Sequence, residues 1–441
     1  MQVNYKNIWN MSYPILLCLI MQQLIGITDI IFLGRLGEVE LGASALGSTY
    51  FFTVFMVAFG FSNGAQIIMA RRNGEQNYEE IGKVFYQGCS FLMFFSFSCI
   101  VLSYIFTPLI LRFLIENPEI YQATLDYVNL RMWGLLTSSL IVMERSFFVS
   151  ITRTSVLTVV SLVMVLTNVI LNYMLIFGKM GAPQLGISGA AIASDLSEAV
   201  AVITYIIYFV RKIDLKKYGF TTFVYKNFGL LKSILDVSVW TMLQQFISVS
   251  TWFLFFIAIE HLGARELAIS NIVKSLFSFI FVIINSFAST VSSVVSNLIG
   301  EDKTKEVIPA TNKVLCLSAL VTMPVLILMM VLPYPLLRVY TDSVELINQS
   351  IPSMISMAVS NTLLIPGWIY LCAVLGTGDT KYAMKIEFIA MVVYVLHIAI
   401  IIEYLKLSLP ICWTADAVYN IAILVYSYRY MHSDKWCNKK V

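Results

Sequence analysis

Charge is what this sequence lacks. Asp, Glu, Lys and Arg make up 12% of its 441 residues, half of the roughly 25% found in soluble domains. So sparse a charge excludes a nucleic-acid binder, which needs clustered Lys and Arg to neutralise phosphates. Histidine is nearly absent. His261, His397 and His432 form no HExxH or HxxxH set and join no nucleophile–base pair, so an enzyme is not expected. The seven cysteines (18, 89, 99, 316, 372, 412 and 437) are scattered without a CxxC pair or a metal-ligand spacing. They exclude a secreted disulfide scaffold and read as reduced core thiols. No metal or organic cofactor is expected. The segment MQVNYKNIWN carries one lysine and runs straight into an apolar stretch, unlike a cleavable signal peptide. What is abundant is apolar surface: 59% of the residues are hydrophobic, which also excludes a disordered chain. The remaining class is an all-α polytopic membrane protein.

A membrane helix needs about 20 apolar residues. Twelve such stretches occur, at 12–33, 43–70, 84–111, 125–151, 157–177, 187–210, 235–259, 267–298, 314–337, 350–375, 384–405 and 411–430. With twelve crossings both termini share a side. Of the 29 basic residues, 21 fall on the side of the termini, whereas the opposite loops hold only Arg35, Arg112, Lys179, Arg265, Arg338 and Lys406. Arg131 and Lys274 lie inside segments. This asymmetry places both termini in the cytoplasm; a multi-pass protein of the cytoplasmic (inner) membrane is expected.

The chain repeats itself weakly at an offset of 226: Leu36-Gly37 with Glu40-Leu41 recurs as Leu262-Gly263 with Glu266-Leu267, Gly74-Glu75 as Gly300-Glu301, and Thr154 as Thr380. Gln22-Gln23 returns as Gln244-Gln245 after a four-residue slip. The expected organisation is a first lobe of six helices (1–211), a cytoplasmic linker (212–232) and a second six-helix lobe (233–441). An even number per half makes the repeat parallel, with a pseudo-two-fold axis along the membrane normal. Such lobes can enclose a cavity and rock to give alternating access.

Against the sparse charge, intramembrane polar groups stand out. Asp29 lies in LIGITDIIFLG with no charge within five residues on either side. A charged carboxylate at depth costs about 2.5–3.5 kcal/mol on insertion scales, so it is expected to be protonated, paired or cation-bound part of the time. Asp29 stands five residues before Gly34, Asn172 six before Gly178, and Ser194 and Asp195 seven and eight after Ile187. At 1.5 Å per residue all lie about 8–12 Å from the outer ends. Asn168 and Asn172 share a helix face, as do Gln22 and Asp29. One polar pocket in the outer half of the first lobe is therefore expected. Asp195 and Glu198 form an i, i+3 pair that either faces this pocket or meets a basic residue on a neighbouring helix. Lys274 either pairs with a carboxylate such as Glu260 or Asp416 or engages an anionic substrate group. Gln22, Asp195, Gln244 and Lys274 are the candidates for a substrate cavity. Glu387 and Glu403 stand near segment ends and are expected to snorkel. Phe51, Phe52 and Trp240 read as lipid or core contacts. Pro14, 15 residues before Asp29, is a candidate helix hinge.

These residues resemble the multidrug and toxic compound extrusion (MATE) family of the MOP flippase superfamily. The resemblance rests on Pro14, Gln22, Asp29 and Leu36-Gly37, on TNVILNYMLIFG (167–178), on LGISGAAIAS (185–194) and on GTGDT (376–380), in this order over essentially the whole chain. GTGDT lacks a P-loop lysine in frame and reads as a cytoplasmic turn. The resemblance implies export of organic, often cationic and amphipathic, compounds against inward H+ or Na+ flow. It implies that Asp29 is the ion-coupling residue, accompanied by Asn168, Asn172 and Ser194. The helix 5 position matching Asn172 is commonly an aspartate in the proton-coupled branch. The sodium-coupled branch adds acids in helices 7 and 10, where this chain reads TMLQQFISVS and NTLLIPGWIY. Asp29 is thus the principal coupling carboxylate, and a second-lobe cation site of that kind is not expected. The partners implied are small organic molecules and the lipid bilayer, with the chain expected to be a monomer. The alternative is a flippase for lipid-linked oligosaccharides, which needs a strongly cationic cavity. Only Lys274 and Arg131 could furnish it.

Overall fold

The computed structural model describes residues 3–220 and 228–437, so 221–227 of the expected linker lie outside the described residues. The first half contains α1 (Tyr5–Gly34), α2 (Glu38–Gly74), α3 (Tyr78–Leu114), α4 (Pro118–Arg131), α5 (Gly134–Ser150), α6 (Ser155–Phe177) and α7 (Ile187–Lys212). The second contains α8 (Phe228–Glu260), α9 (Ala264–Gly300), α10 (Val307–Val331), α11 (Pro333–Arg338), α12 (Val344–Gly376), α13 (Thr380–Ile398), α14 (Leu409–Cys412) and α15 (Thr414–Met431). Eleven spans among the described residues are long and apolar enough to cross a membrane. Backbone hydrogen bonds closed within each helix are what permit crossing.

The fourth expected stretch is two helices. α4 and α5 are separated at Met132 and Trp133, and each is too short to cross alone. At the break the bonding tightens: the Trp133 amide donates to the Leu130 carbonyl, and Leu135 and Leu136 donate to Met132 and Trp133. The cause lies in a neighbour. A Cβ on Gly134 would stand 2.1 Å from both Arg131 Nη1 and Asp195 Oδ1. The backbone turns there so that an ion pair can pass close to it.

Helix ends follow local chemistry. Asn77 accepts from the Glu80 amide at the start of α3, and Asn117, followed by Pro118, accepts from Glu119 and Ile120 at the start of α4. α6 stops at Gly178, whose φ of 66° is left-handed. GTGDT forms the turn between α12 and α13: Gly378 takes φ 89°, and the Asp379 side chain accepts from the Tyr382 amide. Gly376 is needed for close approach, since a Cβ would lie 2.5 Å from the Ser292 carbonyl of α9.

The chain divides into two compact units. One comprises Leu17–Asn73 and Asn77–Ser238, the other Met1–Leu16, Gly74–Gln76 and Val239–Val441. The division passes through α1, which continues as a helix through Pro14. The first unit has a core around Leu33, Tyr127, Val128, Leu135, Ile176 and Ala191. In the second, α12 is buried along most of its length and packs on α9, α10 and α15. Its core includes Phe255, Phe287, Tyr394 and Trp413. All seven cysteines are free; Cys18, Cys372 and Cys412 are buried, but Cys316 is exposed.

Candidate functional site

Three expected residues meet around Asp29. Asn168 and Asn172 lie one turn apart on α6, and Ser194 on α7 faces them; all three are buried. The sequence ISGAAIAS makes this possible. A Cβ on Gly189 would lie 2.6 Å from the Leu175 carbonyl oxygen, and buried Ala190, Ala191 and Ala193 extend the small surface. Small residues let two membrane helices approach closely. Asn172 Nδ2 donates to Asp29 Oδ1 at 2.6 Å and to Asn168 Oδ1 at 3.0 Å. Ser194 Oγ donates to Asp29 Oδ2 at 3.3 Å, and Asn168 Nδ2 donates to that hydroxyl at 3.3 Å. Neutral donors therefore hold the carboxylate, and among the described residues it has no ion pair. Asn172 Oδ1 is buried without a hydrogen-bond partner. A full negative charge beside an unused oxygen is suited to a proton or a small cation.

Gln22 is not part of this cluster. It is exposed, and its amide donates to Cys18 Sγ at 3.9 Å, one turn back.

A second cluster adjoins the first along α7. Arg131 Nη1 meets Asp195 Oδ1, and Nη2 meets Glu198 Oε1, each at 2.5 Å. The guanidinium carbon lies 3.9 Å from the centre of the Phe51 ring. Thr137 and Ser138 donate to Glu198 Oε2 at 3.0 and 2.6 Å. The i, i+3 acids thus share one arginine, with Asp195 engaged by it. Thr137, Ser138 and the hub role of Arg131 were not apparent in the sequence. The signal available was the pairing of a lone intramembrane arginine with two lone intramembrane acids.

The second half departs from expectation at two residues. Lys274 forms no ion pair with Glu260 or Asp416; its ammonium lies 4.5 Å from the centre of the Phe256 ring, and Asp416 instead faces Tyr394. Glu387 does not snorkel. It is fully buried, accepting from Gln244 Nε2 at 2.9 Å, from Tyr419 at 2.7 Å and from Ser248. The reason is periodicity. Thr380, Ala383, Glu387, Ala390, Tyr394 and Ile398 form the buried stripe of α13, so nearness to a segment end does not bring the carboxylate to the surface. Gln244 is accordingly a ligand of Glu387, and its Oε1 is buried without a partner. The side chain of Glu403 lies outside the described residues.

Comparison with known proteins agrees with this architecture. The MatE family model matches residues 14–174 and again 241–401, one stretch in each half. "Probable multidrug resistance protein NorM" of Thermotoga maritima is 24% identical over 429 residues, 96% of this chain and 91% of that protein. The protein of the same name from Rhizobium meliloti is 26% identical over 263 residues, 59% of this chain but only 56% of that protein's length. Among solved structures, an outward-facing multidrug resistance MATE family transporter of the MOP superfamily aligns with TM-score 0.88 and 18% identity, over 99% of this chain and 97% of that one. A MOP superfamily transporter from Pyrococcus furiosus aligns with TM-score 0.87 at 18% identity over the same shares. At that identity the structures speak for the fold: an all-helical, two-lobed membrane protein. With most of its length covered by two matches of one family model, the chain belongs to the MatE family of membrane transporters, not to a family of enzymes.

Proposed function

We propose that this protein is a secondary antiporter that exports organic, often cationic and amphipathic, compounds in exchange for H+ or Na+ by alternating access. Asp29 carries the reading: a lone carboxylate within a membrane-spanning helix, hydrogen-bonded by Asn172 and Ser194 and free of any ion pair among the described residues. Such a group gains from binding a cation and loses little by releasing it, as exchange requires. Asn168 orders both donors. Relatives named for multidrug resistance support an organic substrate, and solved MATE structures include complexes with MaL6 and with Br-NRF. The protein acts as a monomer of two lobes (1–211 and 233–441) joined by 212–232, with both termini in the cytoplasm, as the basic-residue asymmetry supports.

Against the flippase alternative stands Arg131, which is already engaged by two carboxylates; Lys274 is exposed beside the Phe256 ring and alone does not make a strongly cationic cavity.

The test is transport in inverted vesicles. A proton or sodium gradient is imposed, a fluorescent organic cation is added, and wild type is compared with Asp29→Asn. Gradient-driven uptake is expected in wild type and its loss in the variant. Equal transport by Asp29→Asn overturns the coupling assignment. Flipping of a lipid-linked sugar with no cation transport under either gradient overturns the function. Pro14→Ala tests the hinge: reduced turnover is expected, and unchanged turnover removes that role.

A further inference from the structure

The seam between α13 and α15 holds two buried carboxylates that coupling through Asp29 leaves unused. Glu387 accepts from Gln244, Tyr419 and Ser248. Asp416, near the start of α15, is 7% exposed and accepts from the Tyr394 hydroxyl at 3.4 Å. The Tyr394 and Tyr419 rings meet edge to face with centroids 5.6 Å apart. The four side chains therefore run in order along one seam: Glu387, Tyr419, Tyr394, Asp416. At its far end His397, one turn beyond Tyr394, bonds the Thr414 hydroxyl at 3.2 Å.

Neither carboxylate has an ion pair among the described residues. The titratable groups facing Glu387 are the Tyr419 phenol from α15 and the Cys372 thiol from α12; α8 contributes only Gln244 and Ser248. The group facing Asp416 is the Tyr394 phenol. A carboxylate so enclosed sheds its charge most readily by taking a proton. Both sites have room for one. Asp416 Oδ2 is buried without a hydrogen-bond partner, so a proton there leaves the Tyr394 bond to Oδ1 intact. Gln244 Oε1 is likewise buried and unpartnered. Half a turn of that amide would offer an acceptor to a protonated Glu387 in place of the present donor.

We propose that this seam is a second proton-binding site, in which Glu387 and Asp416 take up and release protons, each held by one tyrosine hydroxyl, Tyr419 and Tyr394 respectively. It uses α13 and α15, not the helix 7 and helix 10 acids that this chain lacks. Only H+ moves: it is taken from water, held on a carboxyl oxygen and returned to water. A part in transport rests on the antiporter reading; proton binding itself does not.

The experiment is infrared difference spectroscopy of the full-length protein in lipid nanodiscs, titrated with acid in sodium-free buffer, with no transport required. Wild type is expected to show carboxylic C=O bands that Asp29→Asn leaves in place. Glu387→Gln and Asp416→Asn should each remove one. Should either variant fail to insert, Tyr419→Phe serves. Losing the Tyr419 hydroxyl as a partner should shift the frequency of the Glu387 band. Spectra of these variants that superimpose on wild type overturn the proposal, as do bands that answer to sodium but not to pH. Bands that are present and lost as expected, in a protein showing no gradient-driven export, uphold the proton site and overturn the transport reading.

Discussion

Replacing Arg131 by methionine is the sharpest test of how the first half is held together. The guanidinium forms 2.5 Å bonds to Asp195 and Glu198, and the three side chains are 11%, 19% and 14% exposed. Removing one partner of a buried ion pair costs about 3–5 kcal/mol, because the remaining charge is left uncompensated. Here two carboxylates lose one partner. Proton uptake by either relieves part of the cost, whereas loss of stacking on Phe51, worth about 0.5–2 kcal/mol, adds to it. A net loss of about 4 kcal/mol is expected, close to a thousandfold in the unfolding equilibrium at about 1.4 kcal/mol per decade. Arg131→Lys should lie between, since one ammonium cannot fork to two carboxylates. The combined variant Arg131→Met, Asp195→Leu, Glu198→Leu should recover most of the loss, because a buried ionic cluster is often replaceable by apolar side chains of similar volume. It falls short by the Ser138 hydroxyl, which loses its acceptor, about 1–3 kcal/mol. The assay is equilibrium unfolding in mixed micelles with increasing SDS. A single variant within about 1 kcal/mol of wild type, or a triple variant less stable than the single, would refute the argument.

Three further outcomes follow from the same geometry. Gly189→Val drives a side chain into the Leu175 carbonyl, where even a Cβ would stand at 2.6 Å; it should cost about 1–3 kcal/mol and abolish transport by separating Ser194 on α7 from Asn168 on α6, and full activity in vesicles would contradict this. Asn172→Asp sets a second carboxylate where an amide now lies 2.6 Å from Asp29; two such groups cannot both ionise, so one extra proton should be held near neutral pH, and a pH titration of purified protein showing no extra proton would count against that proximity. Ser138→Ala removes a 2.6 Å hydrogen bond to a carboxylate and should lower stability by about 1.5–3 kcal/mol; an unchanged SDS midpoint would show that Thr137 alone suffices.

Legibility in the sequence depended on how local the cause was. Asp29, Asn172 and Ser194 could be brought to one level by depth, because helical rise is fixed and apolar segments end visibly, and Asn168 joined them by its i, i+4 spacing from Asn172; depth also brought in Asp195, which the structure pairs with Arg131. GTGDT could be read as a turn, since left-handed backbone and an aspartate cap are local properties. Glu387 was misjudged because distance to a segment end was weighed without the 3.6-residue stripe that carries it inward. The break between α4 and α5 was missed because its cause, Asp195, lies on another helix.

The sequence by itself determined the membrane class, the apolar segments, the two-part repeat and the group of residues around Asp29. These follow from hydrophobicity and rise per residue, which each segment carries without its neighbours. Only the tertiary structure decided the partners of the remaining charges: Arg131 with both Asp195 and Glu198, Lys274 with a ring, Glu387 with Gln244 and two hydroxyls. A charge in a low-dielectric interior takes whatever partner the packing of other helices brings within about 3 Å, and that meeting is a property of the fold.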